Sequence, residues 1–214
     1  PTLQRANSLK RIELSYDEHF NAIRDANDDD FIMLSDNDEI PNLDSEDFKK
    51  NKNDIVIFNQ LFFYFKFNLL YDRMLWPGTK GCRKKNLKSF SWLRNIKFKK
   101  YPIWRIDTYF SNTKYSNLNI IKDGGWHFTN LKSPEDMFEK FMNFGHHDEF
   151  KLSGITVDKI RDKISKREMF YDHFADKSSK NKWDSDYKLK KIDTDLLPRY
   201  LVSNREKYLE WFDL

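Results

Sequence analysis

Three carboxylates behind a short apolar run are the part of this sequence that packing alone explains least. The run reads Phe31-Ile32-Met33-Leu34-Ser35-Asp36-Asn37-Asp38-Glu39-Ile40-Pro41. Asp36 and Asp38, two positions apart around Asn37, can hold one divalent cation from a tight turn. Phe31 to Leu34 has the continuous apolar character of a strand covered on both faces, and Pro41 limits how far regular structure continues. The acids then stand at the carboxyl end of a strand, the edge where open α/β sheets bind ligands. Ser, Asp and Asn are also ordinary turn residues, so plain turn chemistry is the competing reading. An EF-hand loop is disfavoured, because the glycine it needs does not follow.

Two further groups carry titratable side chains at marked positions. In Asp123-Gly124-Gly125-Trp126-His127-Phe128 the paired glycines permit unusual torsions or close approach, which places Trp126 and His127 on a constrained turn. His146-His147-Asp148-Glu149 follows the helix stop expected at Gly145, gathering groups suited to general acid and base work at a helix C-terminus. Trp76, in the Pro- and Gly-rich Trp76 to Gly81, reads as a loop aromatic that stacks on a sugar or simply packs.

The elements that must position these groups follow from pattern. Ser15 to Glu18 fits a capping box for a short helix ending near Asp25. A short helix or turn is expected over Asp44 to Lys50, and neighbouring strands over Ile55 to Phe58 and Leu61 to Phe67. The basic stretch Arg83 to Lys100, with Phe90, Trp92 and Phe98 interleaved, reads as a surface helix and strand, since no nucleic-acid motif accompanies it. Lys or Arg from the segment after Thr79, Lys80 onward, is a candidate for phosphate contacts. Strands are expected over Tyr101 to Phe110 and Leu118 to Lys122. Ser133-Pro134-Glu135-Asp136 opens a helix whose buried stripe is Met137, Phe138, Phe141 and Met142. Thr156 caps another helix through Lys166, and Asn204 to Phe212 reads as a terminal amphipathic helix. The polar stretch 172–187 is the candidate flexible segment.

At 214 residues the chain is read as one main domain, 1–214, able to bury a sizeable core. Charged residues make up 34% and aromatics 16%, so Phe, Tyr and Trp must supply much of that core, and the composition is not that of a disordered chain. The net charge of +4 is split unevenly, acidic over Asp25 to Asp54 and basic over Lys80 to Lys100, an arrangement that suits a metal beside a phosphorylated ligand. The single Cys82 excludes an intrachain disulfide and leans toward a reducing, cytoplasmic setting. No apolar run is long enough to span a membrane, and no signal peptide is visible.

Taken in order, Ser35-Asp36-Asn37-Asp38-Glu39-Ile40-Pro41, Gly125-Trp126-His127-Phe128 and Lys140 to Glu149 resemble the motifs of glycosyltransferase family 17. Its best-known members are β-1,4-mannosyl-glycoprotein N-acetylglucosaminyltransferases. Gln4-Arg5, Asn59-Gln60 with Tyr64, and Leu197-Pro198 are similar more weakly. The family has an upstream segment whose strands help bind the nucleotide, and the chain starts at or after its end. The resemblance implies an α/β, GT-A-like (Rossmann-like) fold lacking part of that nucleotide-binding segment. It also implies a nucleotide-sugar donor, UDP favoured, held through Mn²⁺ or Mg²⁺, and a glycan acceptor. Golgi-lumenal residence would follow for a fragment of a eukaryotic member.

On this reading the chain is a metal-dependent inverting transferase, N-acetylglucosamine being the favoured sugar. Asp38 leads the metal ligands, Asp36 bridges to metal or ribose, and His127 completes the shell; carboxylate and imidazole donors suit such ions, which neutralise charge on a leaving diphosphate. Glu149 or Asp148 is the base that deprotonates the acceptor. Trp126, Trp76, Lys140, His146, His147 and Glu39 are assigned to substrate binding, Glu39 in a supporting role. The alternative of a different class is a non-catalytic carbohydrate-binding or scaffold protein derived from a transferase.

Overall fold

A computed structural model describes residues 3–144, 147–175, 180–183 and 185–214. The protein is mixed α/β, and its chain divides into two compact units. One comprises Arg11–Leu61 and Leu75–His127; the other comprises Pro1–Lys10, Phe62–Met74 and Phe128–Leu214.

In the first unit the acid-bearing strand forms where the apolar run predicts it. This strand, β1, covers Phe31–Leu34, and the short β2 (Glu39–Pro41) follows the acidic turn. Ile32 and Leu34 are buried in the core on one face, and Phe31 and Met33, partly buried, pack against Val56, Phe58 and Ile121 on the other, so β1 is covered on both faces as its apolar run predicts. The next strand, β3, runs unbroken from Ile55 to Tyr64, with a register irregularity between Ile57 and Asn59 where two strands were expected. β4 (Leu69–Leu70) belongs to the other unit, and β5 (Trp76–Arg83) returns to this one.

Trp76 to Gly81 is therefore strand rather than the loop its composition suggests. The glycines answer to close approach: a Cβ on Gly78 would sit 1.9 Å from Gln60 Oε1, and one on Gly81 2.4 Å from the Phe31 ring. β5 pairs antiparallel with β1, Leu34 opposite Lys80, and with β3, Ile55 opposite Cys82. β6 (Leu118–Ile121) joins β3 in parallel, Ile55 opposite Leu118. Ile32, Leu34, Ile57, Cys82, Leu93 and Leu118 form the core on one side.

Three other expectations change in this unit. α1 runs from Leu3 to Ala22, straight through the capping box foreseen at Ser15; the Ser15 hydroxyl instead donates back to Ile12 O at 2.7 Å. α2 covers Glu46–Lys49, as expected. α3 covers Phe90–Asn95, capped by Ser89, whose side chain accepts from Trp92 N. Tyr101 to Phe110 is not a strand; it holds only a short 3₁₀ turn at Ile106–Thr108. Trp126 and His127 lie on a strand, β7 (Gly125–Thr129), just past the Asp123–Gly124 bend.

The second unit is built on aromatics. β4 pairs with the end of β3, Phe63 opposite Leu70, and with β8 (Lys190–Lys191), Leu69 opposite Lys191. α4 (Pro134–Asn143) is capped by Ser133 and buries Met137 and Phe141, and α6 (Val157–Ser165) is capped by Thr156, both as expected. α5 covers His147–Ser153, so His147, Asp148 and Glu149 open a helix instead of trailing one. The helix stop expected at Gly145 lies outside the described residues. α7 is Arg199–Ser203, and the terminal segment foreseen as a helix is the 3₁₀ stretch Arg205–Trp211. Phe141, Phe150, Phe170 and Trp183 pack ring against ring. Of 172–187, expected to be flexible, residues 176–179 and 184 lie outside the described residues; within it Trp183 is buried.

The ladder between β2 and β7 depends on Gly125, whose φ is +106° and where a Cβ would meet Ile40 O at 2.1 Å. Gly125→Ala is expected to lower unfolding free energy by at least about 1–3 kcal/mol through strain and clash, read as a lower denaturant midpoint. An unchanged midpoint would remove this close approach from the account.

Candidate functional site

The acidic turn meets the Gly-Trp-His block strand against strand. In the antiparallel β2–β7 ladder Glu39 stands opposite His127, Ile40 opposite Trp126, and Pro41 opposite Gly125. Because side chains alternate along a strand, Glu39 and His127 share one face and Ile40 and Trp126 the other.

Glu39 is the buried centre of this arrangement, only 5% exposed. Its Oε1 accepts from Trp76 Nε1 at 2.9 Å, and its Oε2 accepts from the backbone N–H of Asp36 at 3.2 Å. Burial raises the Glu39 pKa, against the hydrogen bond from Trp76 that favours the ionised form. Trp76, held by that bond, stacks on His127 with centroids 4.5 Å apart and planes 22° from parallel. Trp76 and Trp126 thus lie on different faces of the ladder.

The outer acids part company. Asp36 Oδ2 accepts from Arg94 Nη2 at 2.6 Å, while Asp38 Oδ1 lies 3.4 Å from His127 Nε2. Arg94, on α3, also reaches within 3.8 Å of Glu39 Oε1. Sequence reasoning placed Arg94 only in a generally basic stretch; a lone guanidinium on a short helix gives no local sign that it closes on a turn far back in the chain. Lys80, foreseen as a phosphate contact, is buried: its Nζ donates to Arg94 O at 2.5 Å and Ile96 O at 2.7 Å. Burial, with Arg94 nearby, pulls its pKa down to about 8. Ser35 and Gln60 both bond Thr79 Oγ1, at 2.6 and 3.3 Å, tying the turn to β5.

Among the described residues no group of three or more His, Cys, Asp or Glu side chains is arranged to hold a metal. Asp38 and His127 offer one hard carboxylate and one intermediate imidazole donor, a pair that leaves most of an ion's ligands to phosphate oxygens and water. Asp36 gives one oxygen, Oδ2, to Arg94, so its carboxylate is already charge-compensated.

The other sequence-derived candidates belong to the aromatic unit. Glu149 Oε2 pairs with Lys182 at 2.9 Å, and Asp148 Oδ1 lies 2.9 Å from Nε2 of the buried His147. Both acids sit in the first turn of α5, an end that favours negative charge. Lys140 Nζ donates to Asn130 Oδ1 at 2.9 Å. His146 lies outside the described residues. A cavity of about 200 Å³ opens here, lined by Tyr64, Asn130, Lys140, Tyr171, His173 and Trp183 among others. Lys182, the partner of Glu149, lies over the Tyr171 ring, 5.2 Å from its centroid.

The raised pKa of Glu39 has a definite sign in folding. A carboxyl that binds its proton more tightly in the folded state contributes stability at low pH and loses it as pH rises from the ordinary value of 4.5 through the folded one. Glu39→Gln keeps an acceptor for Trp76 and removes the charge. Chemical denaturation as a function of pH should therefore show wild type losing stability relative to E39Q across the window above pH 4.5. A difference that is flat, or that grows in favour of wild type, would overturn the burial argument.

Comparison of the chain with protein-family models, with curated proteins and with solved structures gives no match.

Proposed function

We propose that the chain is a metal-dependent inverting glycosyltransferase of GT-A-like fold. In this reading it moves a sugar, N-acetylglucosamine first, from a nucleotide-sugar donor to a glycan hydroxyl. The observation that supports it most is the β2–β7 ladder: two motif blocks far apart in sequence pair residue for residue and set Asp38 beside His127.

Asp38 and His127 would hold Mn²⁺ or Mg²⁺, and the ion when bound would neutralise charge on the leaving diphosphate. Asp36, presented by a turn that Glu39 grips through the backbone, takes the bridging role to metal or ribose. Arg94 stands beside it and offers planar donors suited to a phosphate. Glu39 orients Trp76, and Trp76 braces His127, so these two act on the ligand through the imidazole.

The aromatic unit carries a sugar-binding candidate of its own. Its cavity joins ring faces to Lys140 and Asn130, the mixture that recognises a sugar's apolar face and its hydroxyls. Glu149 or Asp148 takes the proton of the acceptor hydroxyl as its oxygen bonds to the anomeric carbon. The bond from that carbon to the diphosphate oxygen breaks, and the electron pair leaves with the diphosphate. Glu149 is linked to the cavity wall through Lys182 and Tyr171.

Titration with uridine diphosphate plus Mn²⁺ should show binding that chelator abolishes and that Asp38→Ala weakens by roughly tenfold or more, within the range for loss of a metal-site group. Transfer from a nucleotide-sugar panel should then separate the acids: Glu149→Gln or Asp148→Asn loses turnover while keeping nucleotide affinity. Turnover retained by both variants would remove them as bases, and metal-independent transfer would end the metal's role. A chain that ignores the nucleotide and binds glycans alone is the carbohydrate-binding alternative.

A further inference from the structure

The segment read from pattern as a strand, Tyr101 to Phe110, gathers exposed apolar side chains close together in the sequence. Ile103, Trp104, Ile106, Tyr109 and Phe110 are 69%, 79%, 73%, 74% and 87% exposed. Isolated apolar side chains at a surface are ordinary, but five within eight residues make a patch of the kind that marks an interaction site. The segment is ordered locally. Tyr109 Oη donates to Ile103 O at 3.1 Å, and the turn Ile106–Thr108 is closed by backbone hydrogen bonds.

Its base is cationic. Between residues 97 and 114 the sequence has Lys97, Lys99, Lys100, Arg105 and Lys114 against one acid, Asp107. Arg105 grips that acid through two bonds of 2.7 and 2.8 Å, and Lys114 adds a third at 2.7 Å. Those bonds hold the Asp107 carboxyl well below the usual range and leave its charge compensated. Lys97, Lys99 and Lys100 are exposed, and Lys99, Arg105 and Lys114 all approach the Tyr101 ring at the root of the segment.

The pairing of an aromatic tip with a lysine-rich base chooses among partners. Protein interfaces are depleted in Lys, whereas an anionic lipid surface attracts each Lys or Arg and accommodates Trp, Tyr and Phe at headgroup depth. No helix of the described residues is long and apolar enough to cross a membrane, and insertion of side chains into one leaflet requires none. We propose that residues 103–110 dock the protein on an anionic membrane surface, with Trp104, Ile106 and Phe110 entering the interface and the flanking bases meeting lipid phosphates and carboxylates. The proposal stands independently of sugar transfer.

Co-sedimentation of the full chain with phosphatidylcholine vesicles, with and without phosphatidylserine, tests it. Binding should require phosphatidylserine and weaken with added salt. It should fall by roughly tenfold or more in the double variant Trp104→Ser, Phe110→Ser, as loss of two inserted side chains demands. Both positions are exposed, so the thermal midpoint of the variant should match wild type, and Lys99→Gln with Lys100→Gln gives a second test that leaves the apolar tip intact. Binding that ignores phosphatidylserine, or that survives both double variants, overturns the proposal. So does sedimentation showing a dimer that the Trp104 and Phe110 substitutions abolish, because the patch would then belong to a second copy.

Discussion

A carboxylate held away from water organises the acidic turn. Burying the ionised form of Glu39 is unfavourable unless its oxygens find donors, and the fold supplies Trp76 Nε1–H to one and the Asp36 N–H to the other. Each bond fixes something besides the charge. The bond from Asp36 shapes the backbone that carries Asp36 and Asp38, and the bond from Trp76 sets the indole plane that lies on His127. The ladder register places Glu39 opposite His127, so one buried group positions both strands' contributions to the site.

The basic stretch is tied into the same arrangement. Lys80 reaches from β5 to the carbonyls of Arg94 and Ile96 at the end of α3, where a cation complements the unsatisfied C=O groups. α3 is anchored at its other end by the Ser89 cap and on its inner face by Phe90 and Leu93. Arg94 is thereby delivered to Asp36 from a helix that cannot easily turn. Ion pairs of Arg94 with Asp36 and of Lys85 with Asp29 thus join the basic stretch to the acidic one within a single unit.

Local pattern made part of this legible. The strand at Phe31, the Ser133 and Thr156 caps and the strand at Leu118 all follow from neighbouring residues, and so do the acids at the end of β1. What pattern could not show are the couplings: Arg94 with Asp36, Trp76 with Glu39, Lys182 with Glu149. These join residues on separate elements, and nothing in a single sequence records which lysine or arginine will close on which acid. Glu39 reads from the sequence only as a supporting member of its motif, because its burial comes from the strands packed around it.

Two misread strands make the physical reason plain. Trp76 to Gly81 has the composition of a loop, yet its glycines are small because β1 and β3 pass so close that a Cβ would clash, and the backbone finds partners on both sides. Tyr101 to Phe110 has the composition of a strand, yet its backbone closes short local turns and leaves the side chains outward. β-propensity describes fitness for a pleated, half-buried surface and carries no information on whether such a surface is offered. The packing of this unit explains glycine in β5. It offers no burial for Trp104 or Phe110, so the cause of those residues has to be sought in what the segment touches beyond the core.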